Sequence, residues 1–355
     1  MNVNEAPTSW SGTLALSAAN VATRARELGT SQWASTLRAW CVPYLFHCME
    51  DAFKHTGDPA PDLTALFDEL SEYLAASAKS RISGFSAPPS ERDAGMVVEE
   101  LTGEHYGRLF REFSKESFAA EPAGLLRERL GRNDVQLPNL ATARVLDAGC
   151  GGGRYSVAWH LLGAREVLGV DLSETGIADA RARAEAMKLT GVTFEHHDVI
   201  ELPLPEASFD IVFSNGVLHH TRDWKRGVHN LVRVLKPNGL GWLYMIENPG
   251  GYFWDVVELG REIMKHEQHE HARVAVALLG LPANRVFYML DHVMAPINLR
   301  LTAKQISDEL AAAGAREIRR IHRGTDFDRV ERIHHGEPFA VDKYGAGEHR
   351  FVFSR

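Results

Sequence analysis

Three alternate glycines, Gly149, Gly151 and Gly153, stand behind an aspartate, Asp147, in the stretch VLDAGCGGGRYS (145–156). Glycine has no Cβ, so a loop of this kind lets the backbone lie against a ligand, either a phosphate or a nucleoside that carries none. A phosphate-binding P-loop needs Gly-x-x-x-x-Gly-Lys-Ser/Thr, and no lysine follows these glycines. The dinucleotide fingerprint is Gly-x-Gly-x-x-Gly, whereas these three are spaced by two, with Gly152 adding some ambiguity. Two more acids follow: Asp171 ends the apolar run EVLGVDL, and Asp198 ends VTFEHHDV. A carboxylate at the end of a second strand can accept from both ribose hydroxyls, through charge-assisted bonds worth about 1.5–3 kcal/mol each. Dinucleotide enzymes use an acid there too, so Asp171 indicates a ribose without naming the cofactor. Either acid could instead cap a helix, a task Ser173 could also perform.

The elements that must position these residues alternate. Short β-branched runs end at the chemistry-bearing residues, and amphipathic helices follow them: ARVLDAG, helix RYSVAWHLLGA, strand EVLGVDL, helix SETGIADARARAEAMK, strands VTFEHHDV and FDIVFSNG, helix DWKRGVHNLVRVL, strand GLGWLYMIE. Such alternation predicts parallel strands with crossover helices, a doubly wound α/β sheet. After Glu247 the alternation pauses over 248–300, which reads as two or three helices. It resumes with helix TAKQISDELAAAGA and strands REIRRIHRG and EHRFVFSR. The pause is read as an insertion behind a strand's C-terminal end, where open α/β sheets bind ligands. From Leu14 to about Leu130 the apolar spacing is helical throughout, broken by HTGDPAPD and SGFSAPPSERD. The expectation is a helical region over 1–139 and a catalytic domain over 140–355.

The ordered set Asp147-x-Gly-x-Gly-x-Gly, Asp171, Asp198, the fourth strand FDIVFSNG and the LVRVLKPNGLGWLYMI turn and strand resembles the class I S-adenosylmethionine-dependent methyltransferases, strongly over about 140–247. The resemblance implies a Rossmann-like, mostly parallel seven-stranded sheet with S-adenosylmethionine as cofactor. Asp147 and the glycines would lie by its methionine and ribose portions, Asp171 and the neighbouring Leu172 by the ribose, and Asp198 and Val199 by the adenine. Asn215 and Gly216 would lie beneath the sulfonium. Relatives often lay a preceding segment over the cofactor, and EHYGRLFREFS offers Tyr106 to its carboxylate, with His105, Phe110 and Phe113 nearby. Core packing is the competing reading of the two phenylalanines.

Methyl transfer is an in-line displacement by an already activated donor, so alignment and desolvation dominate. A general base is needed only when the nucleophile must lose a proton. His219, His220, Glu247 and His292 are the candidates near the expected site, with no single one assigned. For Glu247, facing the cleft and capping the next turn are both open. The cluster KHEQHEH (265–271) suggests metal ligands, but a solvated face is the stronger reading and no metal site is expected.

At 355 residues and 45% hydrophobic, the chain has ample core, and its formal charge of -8 disfavours an extended nucleic-acid surface. The runs RERLGR, RARA and REIRRIHR are scattered, which disfavours an RNA or protein substrate. Three cysteines (Cys41, Cys48, Cys150), no basic leader and no apolar run of membrane-spanning length suggest a cytoplasmic protein. The expected activity is methylation of a small-molecule acceptor in a biosynthetic pathway; the glycine spacing and Asp198 disfavour a dehydrogenase. The alternatives are a macromolecular methyltransferase, a nicotinamide-dependent oxidoreductase or a non-catalytic cofactor-binding protein. The long N-terminal helices could pair two subunits.

Overall fold

The computed structural model describes residues 10–78 and 115–355. Tyr106, with His105, Phe110 and Phe113, lies outside the described residues. Seven strands form one sheet in the order β3-β2-β1-β4-β5-β7-β6. They are β1 (Arg144–Ala148), β2 (Glu166–Asp171), β3 (Val192–His196), β4 (Phe209–Asn215), β5 (Leu235–Met245), β6 (Arg316–Arg320) and β7 (His349–Ser354). Only β7 runs antiparallel to the other six. The inner strands read as almost unbroken apolar runs because helices cover both faces. On one face Leu146, Val212, Leu231 and Leu243 share a core. On the other, Trp159, Phe213 and Trp242 form a ladder with centroids 5.7 and 5.8 Å apart. Gly241 lets β7 approach β5, since a Cβ there would come within 2.2 Å of the Phe353 ring.

The helices are α1 (Gly12–Glu27), α2 (Gln32–Lys54), α3 (Pro59–Ala78), α4 (Lys115–Arg132), α5 (Arg154–Leu161), α6 (Glu174–Ala186), α7 (Trp224–Val234), α8 (Gly251–Met264), α9 (His269–Ala277), α10 (Ala283–Met294), α11 (Ala303–Ala312), α12 (Arg329–His334) and α13 (Ala340–Tyr344). The pause after β5 holds α8, α9 and α10. Sequence reading treated the first helices and this insertion as independent segments, but they build one body. Leu45, Phe46, Met49, Leu63 and Phe67 share a core with Trp254, Val257, Met289 and Leu290. Joining them buries the apolar stripes of both segments.

Polar anchors fix that body. Arg38 pairs with Glu267 and donates to Ala25 O (2.9 Å) and Gly29 O (2.8 Å). Lys343 of α13, buried, donates to Phe53 O (2.8 Å) and His55 O (3.1 Å) at the C-terminal end of α2, where a cation offsets the helix dipole. The segment carrying α12 and α13 was not read as helical from sequence, because both helices are short and mostly polar.

Candidate cofactor and acceptor site

The glycine loop leaves β1 and is fastened to β2 at once: Gly149 and Cys150 N–H groups both donate to Val170 O (2.8 and 2.9 Å). Gly149, Gly151 and Gly153 all adopt positive φ (83°, 52° and 83°). Space is equally restrictive. A Cβ on Gly149 would meet the Val217 side chain at 2.3 Å, and one on Gly153 the Phe194 ring at 2.7 Å. The alternation therefore has a local cause: every second residue turns the chain through a conformation closed to side chains.

Asp171 closes the loop from the other side. Its Oδ2 accepts from Gly151 N–H and its Oδ1 from Ser173 N–H, each at 2.8 Å. Each oxygen retains acceptor capacity for a further donor. Burial raises its pKa, and these backbone bonds partly offset the rise. Ser173 caps α6 by accepting from Gly176 N–H (3.0 Å), so cap and carboxylate are separate residues here. Leu172 O accepts from His196 Nε2 (2.8 Å). Asp147 is 2% exposed and accepts from Ser156 Oγ (2.6 Å). Burial pushes its carboxyl up to about 7, against the lowering effect of that bond. Its carboxylate braces the loop from beneath.

The crescent continues along the C-terminal ends of β3 and β4. Asp198 Oδ1 accepts from Ile200 N–H (2.9 Å) and Oδ2 lies 3.4 Å from Arg222 Nη2. Val199 is buried and its O accepts from Asn230 Nδ2 (3.1 Å). Asn215 Oδ1 accepts from Trp242 Nε1 (3.2 Å), and Gly216, at φ 82°, donates to Tyr244 O (3.2 Å). The one cation in the loop's first helical turn, Arg154, is turned away onto Phe118 O (3.0 Å) and Glu121 (2.8 Å). These acceptor carboxylates suit hydroxyl and amino donors better than a phosphate.

Beside the crescent, a 3-10 turn (Leu218–His220) carries two buried histidines with rings 4.2 Å apart. His219 Nδ1 accepts from Ile246 N–H (3.3 Å), which leaves the proton on Nε2. His220 Nδ1 donates to Ile297 O (2.6 Å), making Nε2 its acceptor. His292 Nδ1 donates to Tyr288 O (2.7 Å), and its ring lies 5.3 Å from Trp254. Burial lowers all three: His219 well below its ordinary value, His220 to about 4 and His292 to about 3. Nearby His220 and His292 add to the lowering at His219. At neutral pH all three are uncharged.

The structure corrects the expectation that Glu247 faces the cleft. It is fully buried, and Arg329 Nε donates to its Oε1 at 2.9 Å. Arg329 in turn faces Glu348 at 3.5 Å and lies 4.5 Å from the Phe253 ring centroid. A carboxylate neutralised this way is a poor proton acceptor. Sequence reasoning missed its partner Arg329, which Glu348 shares, because nothing local to these residues signals the pairing. The KHEQHEH run is partly the solvated face expected, with Lys265, His266, Gln268 and Glu270 exposed, and partly structural: Glu267 pairs with Arg38, and His271 Nε2 lies 3.1 Å from Thr36 Oγ1. Among the described residues no group of three His, Cys, Asp or Glu is placed to hold a metal ion.

An α/β domain with a glycine-built crescent and strand-end carboxylates is a nucleoside-binding domain. Residues 146–243 match the family described as "Methyltransferase domain". The chain is 34% identical over 176 residues to 27-O-demethylrifamycin SV methyltransferase of Amycolatopsis mediterranei, covering 48% of this chain and 62% of that one. It is 35% identical over 129 residues to malonyl-[acyl-carrier protein] O-methyltransferase of Yersinia pestis, covering 36% and 46%. Among solved structures, an S-adenosylmethionine-dependent methyltransferase from Mesorhizobium loti aligns over 64% of this chain and 98% of its own, with 22% identity and a TM-score of 0.43. The chain carries a class I S-adenosylmethionine-dependent methyltransferase domain. It spans less than two thirds of the length of the curated relatives above.

Proposed function

We propose that this protein transfers the methyl group of S-adenosylmethionine to a small-molecule acceptor in a biosynthetic pathway. The observation that carries the reading is the position of the helical body. The segment 297–301, which leads out of that body, hydrogen-bonds across the ends of β4 and β5: Leu299 N–H donates to His219 O (2.9 Å) and Leu301 N–H to Ile246 O (3.1 Å). Strand ends bordered in this way suit a compact acceptor, and a charge of -8 gives a nucleic acid little to hold. The relatives' names, a rifamycin and a malonyl-carrier-protein methyltransferase, support the same substrate range.

Bound S-adenosylmethionine supplies an electrophilic sulfonium methyl. Asp171 would hold the ribose hydroxyls, Asp198 and Val199 the adenine, and Asn215 and Gly216 the end of β4 beneath the reacting methyl. Leu172 and the three glycines would shape the backbone around the nucleoside. Tyr106 remains proposed as a carboxylate ligand. Of the candidate bases, His220 presents a neutral Nε2 acceptor, whereas His219 presents an Nε2 donor that can orient an acceptor oxygen. His292, buried and tilted against Trp254, would add an apolar wall on the same side. No described helix is long and apolar enough to cross a membrane, in keeping with a cytoplasmic setting.

Calorimetric titration of the protein and its Asp171→Ala variant with S-adenosylmethionine, S-adenosylhomocysteine and NADH tests the cofactor. Binding of the two sulfur nucleosides alone, lost in the variant, is expected. Preference for NADH would overturn it. An acceptor screen read by the mass gain of one methyl group then tests the activity.

A further inference from the structure

At the end of β4 the chain turns through Gly216, and this glycine differs from those of the crescent. A Cβ on Gly149 or Gly153 would collide at 2.3 or 2.7 Å, whereas one on Gly216 would meet nothing beyond its chain neighbours closer than 3.7 Å. The atoms it would meet are Cδ1 and Cε1 of Tyr244, each at 3.7 Å, and Cε1 of His219 at 4.0 Å. These are ordinary contact distances, so a carbon-sized group fits directly over Gly216 with a ring on either flank.

Both rings are held. The Arg350 guanidinium lies 5.0 Å from the Tyr244 ring centroid and donates to Asp328 Oδ1 (2.8 Å). His219 belongs to the turn that 297–301 borders as the acceptor wall, through Leu299 N–H on the His219 carbonyl (2.9 Å). Its Nδ1 accepts from Ile246 N–H (3.3 Å), so the proton sits on Nε2, which is bonded to the same Cε1 that flanks the space. His219 is 2% exposed, and no described residue accepts from that Nε2–H. A donor so buried is rarely left without an acceptor.

Strong bases are lacking there. Glu247 is tied to Arg329 (2.9 Å), and Glu348 lies 3.5 Å from Arg329 and 3.7 Å from Arg350. Burial keeps the His219, His220 and His292 rings uncharged and weakly basic, and pushes the Tyr244 phenol up so that it stays protonated. An ordinary alcohol must lose its proton as its oxygen is methylated, which calls for a base of matched strength. An ionised oxygen needs only a donor to orient it, and the bond it accepts is of the stronger, charge-assisted kind. Glu247 and Glu348 each face a guanidinium, so neither presents an incoming anion with an uncompensated charge.

We propose that the acceptor reacts through an oxygen that arrives ionised, as a carboxylate or an acidic phenol, held over Gly216 between the Tyr244 and His219 rings by a hydrogen bond from His219 Nε2–H. An O–CH3 bond forms as the S–CH3 bond of the cofactor breaks, its electron pair passing to sulfur, and no proton is released. This deepens the methyltransferase reading and rests on it.

The test titrates benzoate, 4-nitrophenol and benzyl alcohol by calorimetry into the full chain saturated with sinefungin, a stable cofactor analogue whose amine stands where the sulfonium would. The pH is one at which the first two probes are ionised. The anions are expected to bind at least tenfold more tightly than the alcohol, and the tighter of the two identifies the source of the ionised oxygen. His219→Phe keeps a ring in place and removes the donor, so it should weaken that anion at least tenfold while the Kd for S-adenosylhomocysteine stays within twofold. His219→Gln, whose amide can accept from Ile246 N–H and donate in place of Nε2, should recover part of the loss. Alcohol binding equal to that of the anions, or no anion binding at millimolar concentration, would overturn the proposal. So would a His219→Phe variant that binds the anion as wild type does, or a His219→Gln variant no better than His219→Phe. The preference for anions is read on the unaltered chain, so it decides the matter even where a variant fails to fold. Failure of both sinefungin and S-adenosylhomocysteine to bind would instead overturn the methyltransferase reading.

Discussion

The cofactor crescent and the acceptor wall sit side by side at the same end of the sheet, yet they are held by opposite means. In the crescent, polar groups are satisfied by neighbours close in the chain or on the adjacent strand: Asp171 by Gly151 and Ser173, Asp198 by Ile200, Asp147 by Ser156. In the wall they are met from afar, as Glu247 Oε1 is by Arg329, or lack a hydrogen bond among the described residues, as with both amide atoms of Asn298 and the Nε and Nη1 of Arg300. The first arrangement fixes a shape before a ligand arrives. The second keeps polar capacity in reserve, and that capacity can be matched to a substrate.

The largest effect that would break this comparison is in the crescent. Gly149→Ala forces a Cβ to 2.3 Å from Val217 at φ 83°, so a stability loss of about 2–4 kcal/mol and loss of S-adenosylhomocysteine binding are expected. Adding Val217→Ala should recover part of the stability but little of the binding, because the backbone strain persists. Thermal unfolding and calorimetry on both variants check this. Full recovery of binding would show that crowding alone, and not the turn, demands the glycine.

Next in size is the long-range pair. Arg329→Met leaves Glu247 and Glu348 buried without their cation, and breaking a buried pair from one side costs about 3–5 kcal/mol at the upper end. Adding Glu247→Gln should return a measurable part of that loss. An additive double variant in denaturant titrations would mean that the pair contributes no coupling.

These two regions also differ in how far they could be read in advance. The seven strands, their order of appearance and the crescent residues follow from local pattern: a strand ends, a glycine or acid follows, and an amphipathic helix begins. The shared core of α1–α3 with α8–α10 does not, since an apolar stripe announces that it will be buried but not against what. The same holds for Glu247. Its position at the end of β5 was visible, whereas Arg329 stands on a six-residue helix with too little apolar periodicity to register. Asn298 and Arg300 carry no motif at all; only the alternation of Leu299 and Leu301 around them hints at a two-faced segment.

The histidines give a pH test of intermediate size. His220 is held at about 4 and His292 at about 3 by burial, against about 6.5 in an unfolded chain. As pH falls from about 6.5 toward 4, the unfolded chain takes up protons that the folded one refuses. Stability then declines by up to about 1.4 kcal/mol per pH unit for each such group. Asp147 acts in the other direction: with a folded value near 7, above its unfolded value, its contribution is present at low pH and lost as pH rises from about 4 to 7. His292→Phe, which keeps a ring against Trp254, should therefore flatten the Tm profile between pH 6.5 and 4, and Asp147→Asn should steepen it. Profiles unchanged in both variants would mean that these groups titrate as they do in the unfolded chain.

The smallest effect sharpens the comparison most directly, because it separates two neighbouring residues of the crescent. Ser173 caps α6 through its hydroxyl, while its backbone N–H serves Asp171. Ser173→Ala removes only the cap, so a loss of about 1 kcal/mol in stability is expected. The Kd for S-adenosylhomocysteine should stay within about twofold of wild type, since the 1.4 kcal/mol of a tenfold change has no source here. Asp171→Ala should do the reverse, losing the ligand at a modest cost in stability. If Ser173→Ala weakens the ligand as severely as Asp171→Ala does, the helix cap and the Asp171 carboxylate act as one unit. The crescent would then share the interdependence that otherwise marks the acceptor wall.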